Sequence, residues 1–544
     1  MSISQLTRVL TRSHHYFVST PIFYVNGAPH IGHMQSCLYA DALARCRRLL
    51  GDDVLFSTGT DEHGLKVQQA AETLKVPVSE HCMQMSSKFV EVFKAGDVSY
   101  TQFIRTTDDK HKCMVQKFWK MLDAKGCIRK DKYEGWYSVI DEAFIPSSQV
   151  KEIKEGSEFK MVSSETGSPV EKMSEENYVF CLSKYQNDIL YWLSKDVIKP
   201  SIFQDDVKRF VAEGLIDLSV SRPCSRLFWG IPVPDDETQI IYVWLDALVN
   251  YLTVSSNDST SSFWPPDCHV IGKDILKFHA IYWPAFLIAA GFEPPKHIFC
   301  HSHWTVDHEK MSKSKGNVID PLTLMKKYSP DGFRYFMLRA SVPHSDTNYS
   351  EVKLHRMVNA ELADNLGNLL SRCCATAINP DQQFTHFYHD TLKSLSEPDV
   401  HALIKKASEL PGQVQEHFLG GYFYKGLDCI IECLRDTNAF MQFNKPWELA
   451  KQNDDVSKKR LSTILHVVLE TLRICGILLQ PIIPTLSSKL LDKLQISNSE
   501  RTWKNICCFP SYYNVPNSLE GRPLGHIQLP LYGRKIASYK TSGT

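Results

Sequence analysis

Tyr16-Phe17-Val18-Ser19-Thr20-Pro21-Ile22-Phe23-Tyr24, running on through Val25-Asn26-Gly27-Ala28-Pro29-His30-Ile31-Gly32-His33-Met34, is the stretch that decides the architecture. Its first part is rich in β-branched and aromatic residues, which suit a buried strand. Gly27 and Pro29 punctuate a tight connection. From Met34 to Leu50 the apolar positions recur at helical spacing, and Gly51 supplies a C-terminal stop. A strand that turns into a helix in this way presents unpaired N–H groups and a positive dipole end, and so can receive phosphate. His30 and His33 would add imidazole donors, and Gly32 would let a nucleotide approach the backbone.

A second cationic element lies far downstream. Lys310, Lys313 and Lys315 sit among Met311, Ser312, Ser314 and Gly316 in a polar, flexible loop. Such a loop can close over a triphosphate and neutralise the charge that builds as pyrophosphate leaves. Either element alone is an ordinary helix start or a solvated basic loop. In this order in one chain, they point to ATP handling.

The remaining composition sets bounds. A chain of 544 residues holds several domains and a large buried core. Acidic and basic residues balance, with 61 of each, so any RNA contact must use local patches. Sixteen cysteines without a CxxC pair suit reduced thiols rather than a secreted disulfide scaffold. Residues 1–15 contain Arg8, Arg12, several Ser and Thr and no carboxylate, with Leu6, Val9 and Leu10 on a short apolar face. This reads as a mitochondrial transit segment. Glu470 and Arg473 interrupt the longest apolar stretch, so no membrane association is expected.

Strand–helix alternation runs from Tyr16 to about Cys127 and includes Val54–Thr58. An irregular section follows, and alternation resumes at Gln239–Trp244 and His269–Gly272. After His355 the chain reads as helices. The expected fold is α/β: a split Rossmann-type domain (16–126 and 226–300), interrupted by a connective insertion (127–225). It continues through a lysine-loop region (301–355) into an all-α domain (356–544).

The blocks Pro21–Met34, Thr58–Gln69, Glu134–Tyr137, Glu176–Tyr178, Tyr242–Ala247, Ile271–Pro284 and His301–Asp320 together resemble methionyl-tRNA synthetase, a class I aminoacyl-tRNA synthetase. The transit-like start suggests the mitochondrial form, in the matrix. The resemblance implies a thioether pocket of Ile22, Tyr24, Trp244, Ala247, Tyr251, Ile275, His279 and Trp283, with Asp61 receiving the substrate ammonium. It implies ATP contacts at Asn26, Gly32, Gly272, Lys273, Asp274, His301 and Lys313, with Asp274 toward the ribose. His30, His33, Lys310 and Lys313 would be catalytic. The methionine carboxylate would attack the α-phosphate in line and expel magnesium-bound pyrophosphate, without a protein nucleophile. The terminal adenosine hydroxyl of tRNA(Met) would then take the methionyl group.

In the all-α domain the resemblance places Asn368, Arg372 and Trp447 at the anticodon, where a stacked base contributes roughly 1–3 kcal/mol. Many relatives hold zinc in the insertion through paired cysteines. Here Ser138 and Asp141 replace one pair and Ser163 and Thr166 the other, so no zinc is expected. The cluster Cys300-His301-His303-Asp307-His308 is metal-like in composition only, and His308 stands where the family usually has glycine. The insertion is too short for the large editing domain of the leucyl, isoleucyl and valyl enzymes. A C-terminus soon after Leu531 favours a monomer. Two other readings keep part of the pattern: an acid-activating nucleotidyltransferase without tRNA, and a non-catalytic tRNA-binding paralogue.

Overall fold

The computed structural model describes residues 14–138, 143–145, 147–155, 158–164, 167–256, 260–311, 316–395, 399–506, 509–513, 515 and 517–536. The expected transit segment up to residue 13, Asp141, Thr166 and Lys313 therefore lie outside the described residues.

The chain is organised on a seven-stranded sheet whose pairings are all parallel. Its strands are β1 (His15–Ser19), β2 (Phe23–Tyr24), β3 (Asp53–Asp61), β4 (Gln102–Arg105), β5 (Ile198–Lys199), β6 (Cys268–Gly272) and β7 (Ile298–His301). The order is β5-β7-β6-β1-β3, and both β2 and β4 pair with β3. The single strand expected over Tyr16–Tyr24 is two. Pro21 has no N–H to give to the ladder, and the chain breaks there. The carbonyls of Ser57 and Asp61 receive Thr20 and Val25, whereas those of Phe56 and Thr60 receive Thr101 and Thr106. Thus β2 continues β1 along one side of β3, and β4 lies on the other.

The order in which strands are added reverses between β1 and β6, and ligands of open parallel sheets bind beyond the strand ends at such a switch point. Here those ends lead to Tyr24 and His30 on one side and to Gly272-Lys273-Asp274 on the other. Helix α1 (Ile31–Leu50) follows β2 and ends at Gly51, whose φ of 99° is the left-handed conformation of a C-cap.

The expected insertion contains a four-stranded antiparallel sheet in which Ile128–Ser138 pairs along Glu171–Phe180. A hairpin, Val150–Glu155 with Glu158–Ser163, projects from it. Beyond Met357 the chain is mainly helical, with α2 (Val400–Leu419), α3 (Phe423–Asn444), α4 (Asp455–Leu479) and α5 (Pro484–Lys493). By length and composition alone α4 could cross a membrane, but it carries Glu470 and Arg473 and is largely buried among the other helices. Its charges at Glu470 and Arg473 satisfy each other at 2.7 and 2.9 Å.

The helical region and the α1 side of the sheet share one continuous apolar core. Within it lies a buried ion pair, Arg334 Nη2 to Asp41 Oδ2 at 2.6 Å. Arg334 also donates to the carbonyls of Gly96, Pro481 and Ile482 at 2.9–3.1 Å. One side chain thereby ties α1, the end of the helix before Gly96 and the loop before α5.

Candidate active site

The helix start differs from the sequence expectation. Gly32 N donates to His30 Nδ1 and His30 N donates to His33 Nδ1, each at 3.0 Å. Ile31 N donates to Ile319 O at 3.2 Å, and His33 N to His30 O at 3.0 Å. The N–H groups of the first turn are therefore engaged by the protein rather than left for phosphate. Because both Nδ1 atoms accept, each neutral ring carries its proton on Nε2. The donors offered to an anion are imidazole N–H groups. A Cβ on Gly32 would stand 2.8 Å from the His30 ring, so this cap itself requires glycine.

The same glycine faces Met311, whose Cε would be 3.5 Å from that Cβ. Together with the Ile31–Ile319 bond, this joins the histidine and lysine elements, which the sequence separates widely. Lys310 leaves a two-residue hairpin turn at Asp307 and His308, with φ of 52° and 63°. His308 thus adopts a conformation ordinarily given to glycine.

Lys310 Nζ lies 3.2 Å from Asp274 Oδ2, and His303 Nε2 lies 3.1 Å from Asp274 Oδ1. Desolvation works to raise the Asp274 pKa, but its contacts with His303 and Lys310 outweigh it and hold the carboxyl well below its ordinary range. Lys273 is paired with Asp346. His301 turns inward instead: its Nδ1–H donates to Ser302 O at 2.9 Å, and its Nε2 accepts from Ser36 at 2.7 Å. Burial pushes its pKa down to about 4. The structure therefore brings His303, rather than His301, to Asp274. Asn26 is exposed on the connection into α1, and Gly272 ends β6.

The other flank is closed and aromatic. Tyr24 and Asp61 are register partners on β2 and β3 and share a face. Gly64 permits this arrangement: at φ 103° its Cβ would meet Tyr24 Oη at 2.3 Å. Trp244 stacks face to face on Phe278 at 3.7 Å. The apolar run suggested a strand through Trp244, but the ladder ends at Ile241 and the chain turns into a helix, Val243–Leu248, with Tyr242 at its N-cap. His279 lies in a π-helical turn, Phe278–Tyr282, with Trp283 immediately after it. Its Nδ1–H donates to Ile275 O at 3.0 Å, and its Nε2 accepts from Tyr251 at 2.8 Å. Burial lowers its pKa to about 4, so the ring is neutral. Trp283 and Tyr251 are buried 5.9 Å apart, and Ala247 is buried nearby in sequence. The Ile22 side chain packs against a separate cluster of Phe17, Leu55, Ile104, Val254 and Phe263.

Sequence reasoning missed the polar frame beneath. His63 Nδ1–H and His111 Nε2–H donate to the two oxygens of Asp246 at 2.7 and 2.8 Å, and His111 Nδ1 accepts from Thr253 at 3.0 Å. Against the raising effect of burial, the two imidazoles hold Asp246 at about 2. Glu62 is held by Arg105 through both oxygens, at 2.7 and 2.9 Å. Arg222, also not singled out, is buried with its guanidinium 4.5 Å from the Tyr242 ring.

In the helical region, the Arg372 guanidinium lies 5.3 Å from the Trp447 ring and donates to Gln442 at 3.2 Å. Asn368, exposed, begins the same short helix, Asn368–Cys373. In the insertion, Ser138 and Ser163 are buried hydroxyls. Among the described residues, no three His, Cys, Asp or Glu side chains converge as a metal site.

A family model described as "tRNA synthetases class I (M)" matches residues 16–374. The human protein "Methionine--tRNA ligase, mitochondrial" is 48% identical over 527 residues, covering 94% of this chain and 88% of that protein. "Methionine--tRNA ligase" of Rickettsia typhi is 39% identical, covering 90% and 95%. The solved structure of Mycobacterium tuberculosis methionyl-tRNA synthetase in complex with methionyl-adenylate superposes with a TM-score of 0.86 at 37% identity, covering 94% and 99%.

Proposed function

This chain belongs to the class I methionyl-tRNA synthetases, and on that premise we propose how its residues divide the reaction. It joins L-methionine to tRNA through a methionyl-adenylate at the expense of ATP. The observation that carries the assignment is the meeting of the histidine and lysine elements at Ile31, Ile319 and Met311.

Asp61 takes the methionine ammonium, opposite in charge and set beside Tyr24. The thioether packs among Trp244, Tyr251, Ile275, His279 and Trp283, where polarisable sulfur meets aromatic edges. Asp274, with Gly272 and Lys273, receives the ribose end of ATP. The Nε2–H groups of His30 and His33 serve the phosphates as donors, and Lys310 and Lys313 supply them with positive charge. ATP arrives with Mg2+ as its counter-ion. Attack of the carboxylate on the α-phosphate forms the mixed anhydride and releases pyrophosphate, whose growing charge these donors stabilise. The terminal hydroxyl of the tRNA then displaces AMP. Asn368, Arg372 and Trp447 read the anticodon, with the Arg372–Trp447 contact supporting a stacking role. The hydroxyls of Ser138 and Ser163 do not suit a thiolate zinc site, and no step uses zinc. The mitochondrial relatives and the acid-free start support action in mitochondria, which we assign to the matrix.

Amino-acid-dependent ATP–pyrophosphate exchange, measured on protein lacking residues 1–15 with each standard amino acid, tests the reading. Exchange with methionine alone is expected. Exchange with another amino acid would move the chain to a sister specificity, and none at all in folded, tRNA-binding protein would leave a non-catalytic role.

A further inference from the structure

Asp346 lies outside every motif, yet it organises the ATP side of the cleft. Its Oδ1 and Oδ2 take Lys273 Nζ at 2.7 and 2.9 Å, and its Oδ1 also accepts from the backbone N–H of His303 at 2.9 Å. The His303 ring contacts Asp274 Oδ1, and Lys310 contacts Asp274 Oδ2. The residues form one alternating series, Lys273–Asp346–His303–Asp274–Lys310, that runs from the end of β6 to the lysine loop. The same segment braces the hairpin beneath Lys310: Thr347 and Asn348 pair with Trp304 and Thr305, and Asn348 Oδ1 accepts from His308 N at 3.0 Å.

We propose that Asp346 is a positioning residue for ATP, holding Lys273 and the His303 backbone so that Asp274 and Lys310 stand in register at the nucleotide site. It acts through these groups and touches no substrate. The proposal rests on the synthetase reading above. With both Asp274 oxygens engaged, an arriving ribose exchanges with Lys310 or His303, and Lys310 moves to the phosphates. Asp346 keeps Lys273 and His303 in register while that exchange takes place. Without its charge, Lys273 turns to Asp274 or to solvent and the series loses its order.

The test is pyrophosphate exchange by the full chain and its Asp346→Asn, Asp346→Glu, Lys273→Met and Asp346→Asn/Lys273→Met variants, with thermal midpoints measured alongside. Because the groups are partly exposed, Asp346→Asn should raise the KM for ATP about three- to fivefold. The KM for methionine in exchange, and that for tRNA in a parallel aminoacylation assay, should stay within about twofold. Asp346→Glu should recover most of the loss, and Asp346→Asn should add little in the Lys273→Met background. An unchanged KM for ATP, or equal losses for ATP and methionine with a lowered midpoint, would overturn the proposal. So would independent, multiplying effects of the two substitutions. Absence of methionine-dependent exchange in the unmodified protein would instead remove the underlying reading.

Discussion

Asp246 and Asp274 both ionise more readily than an ordinary aspartate, but they do so in opposite settings. Asp246 is buried and receives two imidazole N–H bonds, whereas Asp274 has a side chain 47% exposed and faces a lysine that is 64% exposed. The flank proposed for methionine is built on the first kind of contact and the flank proposed for ATP on the second. A buried carboxylate that loses its partners, or partners that lose it, costs several kcal/mol; an exposed ion pair contributes ~0–1 kcal/mol. One flank therefore has a fixed shape before ligand arrives, as recognition of a small apolar side chain requires. The other can exchange its contacts at little cost, as closure over a triphosphate requires.

The sharpest way to break this contrast is Asp246→Ala. It leaves His63 and His111 buried without their acceptor and should destabilise the protein by about 3–5 kcal/mol in urea unfolding. A loss below about 1 kcal/mol would mean that the flank is not held by this frame. Lys310→Ala should do the reverse. Pyrophosphate exchange should fall about 10²–10³-fold, while the unfolding midpoint stays within about 0.5 kcal/mol of wild type. Acid titration tests the buried imidazoles. His279 and His301 have folded pKa values near 4, below their unfolded values. The native state therefore binds fewer protons, and stability is full above about pH 6.5. It should fall on the order of 1.4 kcal/mol per pH unit per ring as pH drops from there toward 4. A flat profile across that window would place these rings in water. The smallest expected effect lies away from the cleft. Trp447→Ala should weaken tRNA binding by roughly 1–3 kcal/mol and leave exchange without tRNA unchanged.

Much of the α/β architecture was legible because its signals are local. The strand–turn–helix at Tyr16–Gly51 carries its own punctuation, and the histidine and lysine elements carry their own chemistry. Contacts between distant segments were not legible. Nothing in the spacing of His63, His111 and Asp246 says that they meet, and Asp346 has no motif around it. Local competition was also hidden. The His30 and His33 side chains engage N–H groups that a generic helix start would leave for phosphate, and Pro21 splits a run that propensity reads as one strand. At Trp244 a fully apolar run does not distinguish strand from helix. At 301–303 alternation alone could not say which histidine turns inward, since that depends on Ser36 of α1.

The Arg334 guanidinium, satisfied by Asp41 of α1 and by carbonyls next to Gly96 and α5, bears on how this protein can be divided. Catalytic and tRNA-reading regions are often treated as parts that can be recombined. Here a cut between them would leave Arg334 its ion pair with Asp41 but take away the carbonyls of Pro481 and Ile482. A fragment ending before Pro481 would carry Arg334 without two of its acceptors. The boundary visible in the chain's secondary structure is therefore not a seam in its thermodynamics, and grafting the helical region onto another synthetase would have to take Arg334 and Asp41 with it.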